Sequence, residues 1–241
     1  MHSGIALPSK VMPMSKEKPM NCVEPAEFFE DRMLAYRFLS RMYRTALDAD
    51  VIASLLAMEE SVQTPLGACI ESMRGCDPEQ LRIDLAAEYN RVFLGMGPQP
   101  IAPYESVYAS PERLLMQGPR DEVLVLYRAE SLARSGETTV PEDHIALELE
   151  FMAHLCKEAA KAAAGGDQEK ALEYRAKQKD FLEGHLLKWV PALCSDMEKQ
   201  VRTKLYRAVC AMTRQLLEAE REWLSKGQGG AGISSSHTKT T

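Results

Sequence analysis

The sequence has no apolar run approaching the roughly 20 residues a membrane-spanning helix needs, and nothing like the apolar core of a secretory signal. Its first 20 residues instead set Lys10, Lys16 and Lys18 among prolines. Both absences predict a cytoplasmic protein with no membrane insertion. Also missing is any Cys-x-x-Cys pair: the six cysteines, at 22, 69, 76, 156, 194 and 210, are too few and too scattered for a disulfide framework. Cys156 and Cys210 fall on helical apolar faces, where a thiol serves as a small hydrophobe. No stretch sustains the period-two alternation of a half-buried strand, so no strand is expected. The motifs of common chemistries are absent too. Gly95-Met96-Gly97 is not a phosphate loop, because Pro98 and Pro100 remove the backbone donors that such a loop presents. Ser106 lies beside Glu105 but has no glycine-flanked elbow, and Glu150 and His154 lack the second carboxylate–histidine pair of a di-metal bundle. No catalytic residue, metal ligand set or cofactor is expected, and the sequence does not read as an enzyme.

What is present is helix. With 241 residues, 45% of them hydrophobic and 27% charged, the chain can bury one large core or two smaller ones. The regular segments are rich in Ala, Leu, Glu, Met, Arg and Lys. The pattern predicts an all-α bundle of about ten helices in two subdomains joined by a hinge. Residues 1–24 and 227–241 lack periodicity and are expected to be disordered, while 25–136 and 144–226 form the N-terminal and C-terminal subdomains. The hinge is placed at 137–143, because Gly136 to Pro141, GETTVP, combines a helix stop, two threonines and a proline. Expected starts are Asp50, Thr64-Pro65, Asp77-Pro78, a short helix at Ser110-Pro111, Pro119 and Asp167. The segment PEDHIALELEFMAHLCKEAA carries apolar residues around most of its circumference and reads as a central helix, with Asp143 as its structural cap. Pro191 is expected to disturb the helix that ends near Trp189, and the last helix is expected to run from about Asp196 to Lys226.

The chain is organised around Glu88 to Tyr108, EYNRVFLGMGPQPIAPYESVY. Leu81, Leu85, Tyr89 and Phe93 recur at one-turn spacing until Gly95, which suits a left-handed helix end. Pro98, Pro100 and Pro103 then stiffen a long loop that delivers Tyr104 and Glu105 to a fixed place. The loop is either a strap over the core or a binding loop. Residues 77–150 hold 14 acidic side chains against six arginines and no lysine, a balance of −8 where the whole chain has −6. Such a field disfavours nucleic acid and suits a cationic partner, although a solvated acidic face has the same composition.

Three segments in this order, YNRVFLGMGPQPIAPYESVY (89–108), PEDHIALELEFMAHL (141–155) and FLEGHLLKWVPAL (181–193), resemble the TorD/DmsD/NarJ-type chaperones of molybdoenzyme maturation, with most likeness to the TorD/DmsD branch. The resemblance covers nearly all of 27–226. It implies a cytoplasmic, non-enzymatic chaperone that binds the twin-arginine signal peptide of a molybdenum-cofactor redox enzyme and holds the apo form of its catalytic subunit until the cofactor is inserted. The family's peptide pocket maps onto Pro103, Tyr104, Glu105 and Ser106 and onto Asp143 and His144. Tyr104 stands where the family often has Trp. Phe93 is added from the helical pattern as an apolar wall beside Tyr104, with Glu105 and Asp143 as carboxylates for the arginines. The resemblance further implies either a monomer or a domain-swapped dimer. A helical scaffold or regulatory adaptor would use the same acidic surface without reading a leader.

Overall fold

The structure, a computed structural model, describes residues 24–133 and 140–226. Among these residues there are ten α-helices, one π-helical segment and no strand. The helices are α1 (Ala26–Arg44), α2 (Ala49–Leu56), α3 (Pro65–Met73), α4 (Pro78–Phe93), α5 (Glu105–Ala109), α6 (Gly118–Ala129), α7 (Ile145–Ala164), α8 (Gln168–Phe181), α9 (Leu187–Gln200) and α10 (Lys204–Ser225). The π segment, Leu182–Leu186, joins α8 and α9 into one continuous rod. No described helix is long and apolar enough to cross a membrane. The all-α expectation therefore holds.

Capping residues set most of the helix starts. Thr64 Oγ1 accepts from Gly67 N at 3.0 Å, Asp77 Oδ1 from Gln80 N at 2.8 Å and Asp167 Oδ1 from Lys170 N at 3.0 Å, each satisfying a backbone donor that the first turn leaves free. Four expectations need correction. Asp48, not Asp50, caps α2. Ser110-Pro111 starts no helix; the short helix is α5, which begins at Glu105, directly after the proline loop. Pro191 sits inside α9 without ending it, and the irregular turn lies earlier, at Leu182–Leu186. The last helix is two: α9 ends at Gln200, and Thr203 caps α10 by accepting from Tyr206 N.

The helix that reads as apolar on most sides, α7, lies at the centre together with α1. Phe29, Tyr36, Phe38, Leu39, Met42 and Tyr43 of α1 are all buried, as are Ile145, Leu149, Phe151, Met152, Leu155 and Cys156 of α7. A helix with a broad apolar face must be covered, and α1 and α7 cover each other, in the most extensive helix pair of the fold. Around this pair α8 packs on α7, α10 packs on α3 and α9, and α9 packs on α5. Buried apolar side chains from Phe29 to Leu224 form one cluster, so helices before and after the expected hinge share a core. The break read at Gly136–Pro141 falls largely on 134–139, outside the described residues.

One ionic contact lies inside that core. Arg32 of α1 grips Glu220 of α10 with two bonds, Nε to Oε1 at 2.6 Å and Nη2 to Oε2, and both side chains are essentially inaccessible. The Arg32 guanidinium also lies 4.1 Å from the centre of the Trp223 ring. Burial works to lower Arg32, but the Glu220 carboxylate it grips outweighs this and holds Arg32 above its ordinary value. Removing one partner leaves the other as an uncompensated buried charge, so Glu220→Ala should lower stability by about 3–5 kcal/mol. The paired replacement Arg32→Met with Glu220→Leu should cost much less. Urea unfolding of the two variants checks this, and equal losses would contradict it.

Candidate functional site

The α4–α5 loop begins where α4 ends at Gly95, whose φ of 76° is the left-handed conformation that glycine adopts without penalty. Two residues on, a Cβ at Gly97 would stand 2.6 Å from the Arg91 carbonyl oxygen, so only glycine permits that close return of the chain over α4. Ile101 N then donates to Val92 O at 2.7 Å and the Ile101 side chain is buried, which anchors the loop before its last proline. The loop is strapped to the protein at one end and, through the next four residues, stitched at the other.

That stitch brings two of the sequence motifs together. Pro103 O accepts from Ile145 N at 2.9 Å, Glu105 N donates to Asp143 O at 3.0 Å, and Tyr104 pairs with His144 in an isolated antiparallel bridge. Asp143 Oδ2 accepts from Ser106 N at 2.9 Å and from the Ser106 hydroxyl. Asp143 thus caps α5, a helix far away in sequence, rather than its own helix. The cap of α7 is His144, whose Nδ1 accepts from Ala146 N at 3.1 Å, so the ring must be neutral with its proton on Nε2. Burial, and then the positive charge of Arg44, lower His144 to about 4. The Tyr104 ring stands edge-on to His144 with centroids 5.0 Å apart.

Beneath the stitch lies a polar cluster whose other members carry no helix-cap or loop signature. Glu105 Oε2 is 2.8 Å from His185 Nδ1, and the Trp189 indole donates to Glu148 Oε2 at 3.0 Å. Phe181 stacks on His185 with centroids 4.9 Å apart. Burial, and then the adjacent Glu105 carboxylate, push Glu148 well above the usual carboxylate range. His185 lies in the π turn, which inserts an extra residue into the α8–α9 rod and presents this side chain to Glu105. Glu148 did carry a signal in the sequence: a helix apolar on most sides has nowhere to put a carboxylate except inside. His185 carried none, because helical spacing does not foresee a π turn.

The expected site residues therefore divide by position. Pro103, Glu105, Ser106, Asp143 and His144 are buried and engaged with one another, while Tyr104 is half-buried. Phe93 is also half-buried but belongs to another aromatic group, with Tyr89 at 5.2 Å, Tyr206 at 6.0 Å and Tyr43 at 6.2 Å. Glu105 and Asp143 do not stand at a rim. Among the described residues, five acidic side chains of 77–150 (Glu88, Glu105, Glu142, Asp143 and Glu148) are buried, so the surface field of this region is weaker than its composition suggests. Exposed carboxylates nearby are Glu112 and the α6 residues Asp121 and Glu122. Exposed apolar side chains flank the stitched loop on both sides: Leu94 and Met96 before it, and Leu114, Leu115 and Met116 after it. Arg113 and Met116 hold φ of 53° and 58°, values that non-glycine residues adopt only at a cost.

Two buried groups with opposite shifts give the fold a testable pH response. His144 is lowered in the folded state, so its contribution is fully present above its ordinary value of 6.5 and is lost as pH falls toward 4, by about 3 kcal/mol at most. Glu148 is raised, so its contribution is present below 4.5 and is lost as pH rises through its folded value. His144→Asn, which keeps a capping oxygen, should flatten the loss of stability between pH 6.5 and 4. Glu148→Gln, which keeps an acceptor for Trp189, should flatten the loss on the alkaline side. Urea midpoints measured across pH for wild type and both variants check the two signs separately.

Residues 57–195, which contain this whole site, match the family described as nitrate reductase delta subunit. Curated relatives named chaperone protein TorD cover most of the chain. One from Vibrio cholerae serotype O1 (strain M66-2) is 28% identical over 209 residues, which is 82% of this chain and 93% of the relative. One from Aliivibrio fischeri (strain ATCC 700601 / ES114) is 24% identical over 214 residues, 84% and 98% of the two chains. A third, from Photobacterium profundum, is 31% identical over 130 residues, 54% and 59% of the two. With the stitched Pro-Tyr-Glu-Ser and Asp-His motifs inside the matched region, the chain belongs to the nitrate reductase delta subunit family, the TorD/NarJ-type chaperones of molybdoenzyme maturation.

Proposed function

We propose that the protein is a cytoplasmic chaperone, not an enzyme, that binds the twin-arginine signal peptide of a molybdoenzyme catalytic subunit and holds the apo form until its cofactor is inserted. The observation that carries this reading is the stitched loop. It holds Tyr104 half-exposed on a backbone fixed from two sides, between exposed Leu94 and Met96 and exposed Leu114, Leu115 and Met116. Apolar side chains displayed on a rigid loop suit the apolar helical stretch of a leader, because the ordering cost is met within the chaperone before the peptide arrives. The names of the TorD relatives support the same reading. In this reading Tyr104 contacts the peptide, and Phe93, on α4 in its own aromatic group, is a second apolar wall. Pro103, Glu105, Ser106, Asp143 and His144 hold the loop that presents Tyr104. The leader's arginines meet exposed carboxylates, for which Glu112 and Glu122 are candidates.

Exposed ion pairs contribute about 0–1 kcal/mol each, whereas burying a large apolar side chain contributes about 1.5–3 kcal/mol. Replacing both leader arginines by lysine should therefore weaken binding modestly. Tyr104→Ala, or polar substitutions in the leader's apolar stretch, should weaken it more. Calorimetry on these variants decides the matter. Near-complete loss with the double-lysine leader, together with full affinity for Tyr104→Ala, would overturn the apolar reading.

We also infer that the chain can form a domain-swapped dimer through the connector between α6 and α7. The α1–α7 contact, which joins helices on either side of that connector, is the interface that two chains would exchange. Sizing at high protein concentration should show a dimer alongside monomer, and a shortened connector should favour the dimer. Monomer alone under both conditions would refute it.

A further inference from the structure

Between α1, α6 and α7 lies a groove of about 650 Å³ that shares only its edge, at Glu142, with the stitched loop. Its floor is apolar and aromatic, made by Leu124, Tyr127, Leu147 and Phe151, with the Tyr127 and Phe151 rings 4.8 Å apart. Its walls are basic. Arg37 and Arg44 come from α1, Arg120 and Arg128 from α6 and Lys157 from α7, against two carboxylates, Glu142 and Glu150. Two of these five cations are already engaged, Arg44 with Glu150 and Arg120 with Glu142 at 2.6 Å. Arg37, Arg128 and Lys157 are exposed and make no ion pair among the described residues. A net positive groove on a chain whose formal charge is −6 is a local exception to its composition.

The spacing of the cations selects among anions. A single phosphate or carboxylate is held by donors that converge on one point. Here Arg37 and Arg44 are seven residues apart and Arg120 and Arg128 eight, which on a helix places them about 10–12 Å apart along the groove. Charges strung along a trough with an aromatic floor fit an elongated ligand that alternates carboxylates with apolar side chains. The same charges repel a twin-arginine leader.

We propose that the α1–α6–α7 groove is a second docking site, for an acidic amphipathic peptide segment of a partner protein, separate from the leader site. Its apolar side chains lie on Tyr127, Phe151 and Leu124, and its carboxylates meet Arg37, Arg128 and Lys157 in turn. The probes are three labelled synthetic helical peptides that share one leucine- and phenylalanine-bearing face and carry glutamate, glutamine or lysine on the other. Fluorescence anisotropy with the full chain should rank them glutamate, glutamine, lysine, and the glutamate peptide should weaken as salt is raised. Reversing Arg37, Arg128 and Lys157 to glutamate together should weaken the glutamate peptide by about tenfold or more. Arg37→Glu alone should cause a smaller loss of the same sign. Circular dichroism and leader affinity should stay unchanged in both variants, which separates a failure here from a failure of the leader reading. Three results would each overturn the proposal: equal affinity for the glutamate and lysine peptides, full retention of affinity by the triple variant, or displacement of the peptide by low-millimolar inorganic phosphate, which would indicate a small-anion site.

Discussion

The Asp143 carboxylate holds together the parts of this protein that could meet a ligand. It accepts from the backbone and hydroxyl of Ser106, so it closes the N-terminus of a five-residue helix too short to persist by itself. Once α5 is fixed, Glu105 is directed to His185 and the Tyr108 hydroxyl to Asp196 at 3.2 Å, which ties α5 to the α8–α9 rod. The proline loop before it then has both ends set, with Ile101 bonded to α4 and Pro103 to α7. A charge in the protein interior is tolerated only when its hydrogen-bonding capacity is used. Asp143 uses only Oδ2 in this way, for another part of the chain, and leaves Oδ1 buried without a partner among the described residues, so the loop conformation and the start of α7 are mutually dependent.

The sequence exposed those features that rest on local chemistry. Thr64, Asp77 and Asp167 were readable as caps because each offers a side-chain acceptor to the first turn, and Gly95 was readable as a helix end because it alone accepts positive φ there. α7 was readable as central because it is apolar on most sides. Features set by distant partners were not readable. Asp143 resembles a cap for its own helix, and only the fold shows that it caps α5 while His144 takes the local role. Glu105 and Asp143 looked like surface carboxylates because nothing nearby in sequence reveals His185 or Ser106 as partners. The break at Val201–Arg202 before α10 was hidden because Thr203, which caps the new helix, lies inside a stretch that otherwise keeps its helical spacing.

The charge distribution separates two surfaces that composition alone merges. The acidic middle of the chain spends several of its carboxylates internally, and two of its arginines, Arg120 and Arg128, line the groove with Arg37 and Lys157. The buried Arg32–Glu220 pair keeps α1 and α10 in a fixed relation.

The π turn at Leu182–Leu186 places α8 and α9 on one rod with different orientations. One additional residue in a helix of about 3.6 residues per turn rotates everything after it by about 100°. Up to Phe181 the rod packs mainly on α7, whereas α9, after the turn, packs on α5 and α10 while Trp189 still reaches Glu148 of α7. The rod therefore behaves as a crankshaft whose throw is fixed by a residue count. The count of residues between Phe181 and Leu187 is as constrained as the buried side chains of Leu182, His185 and Leu186 themselves, because a single deletion would turn the whole of α9 away from its neighbours while leaving every one of its side chains unchanged.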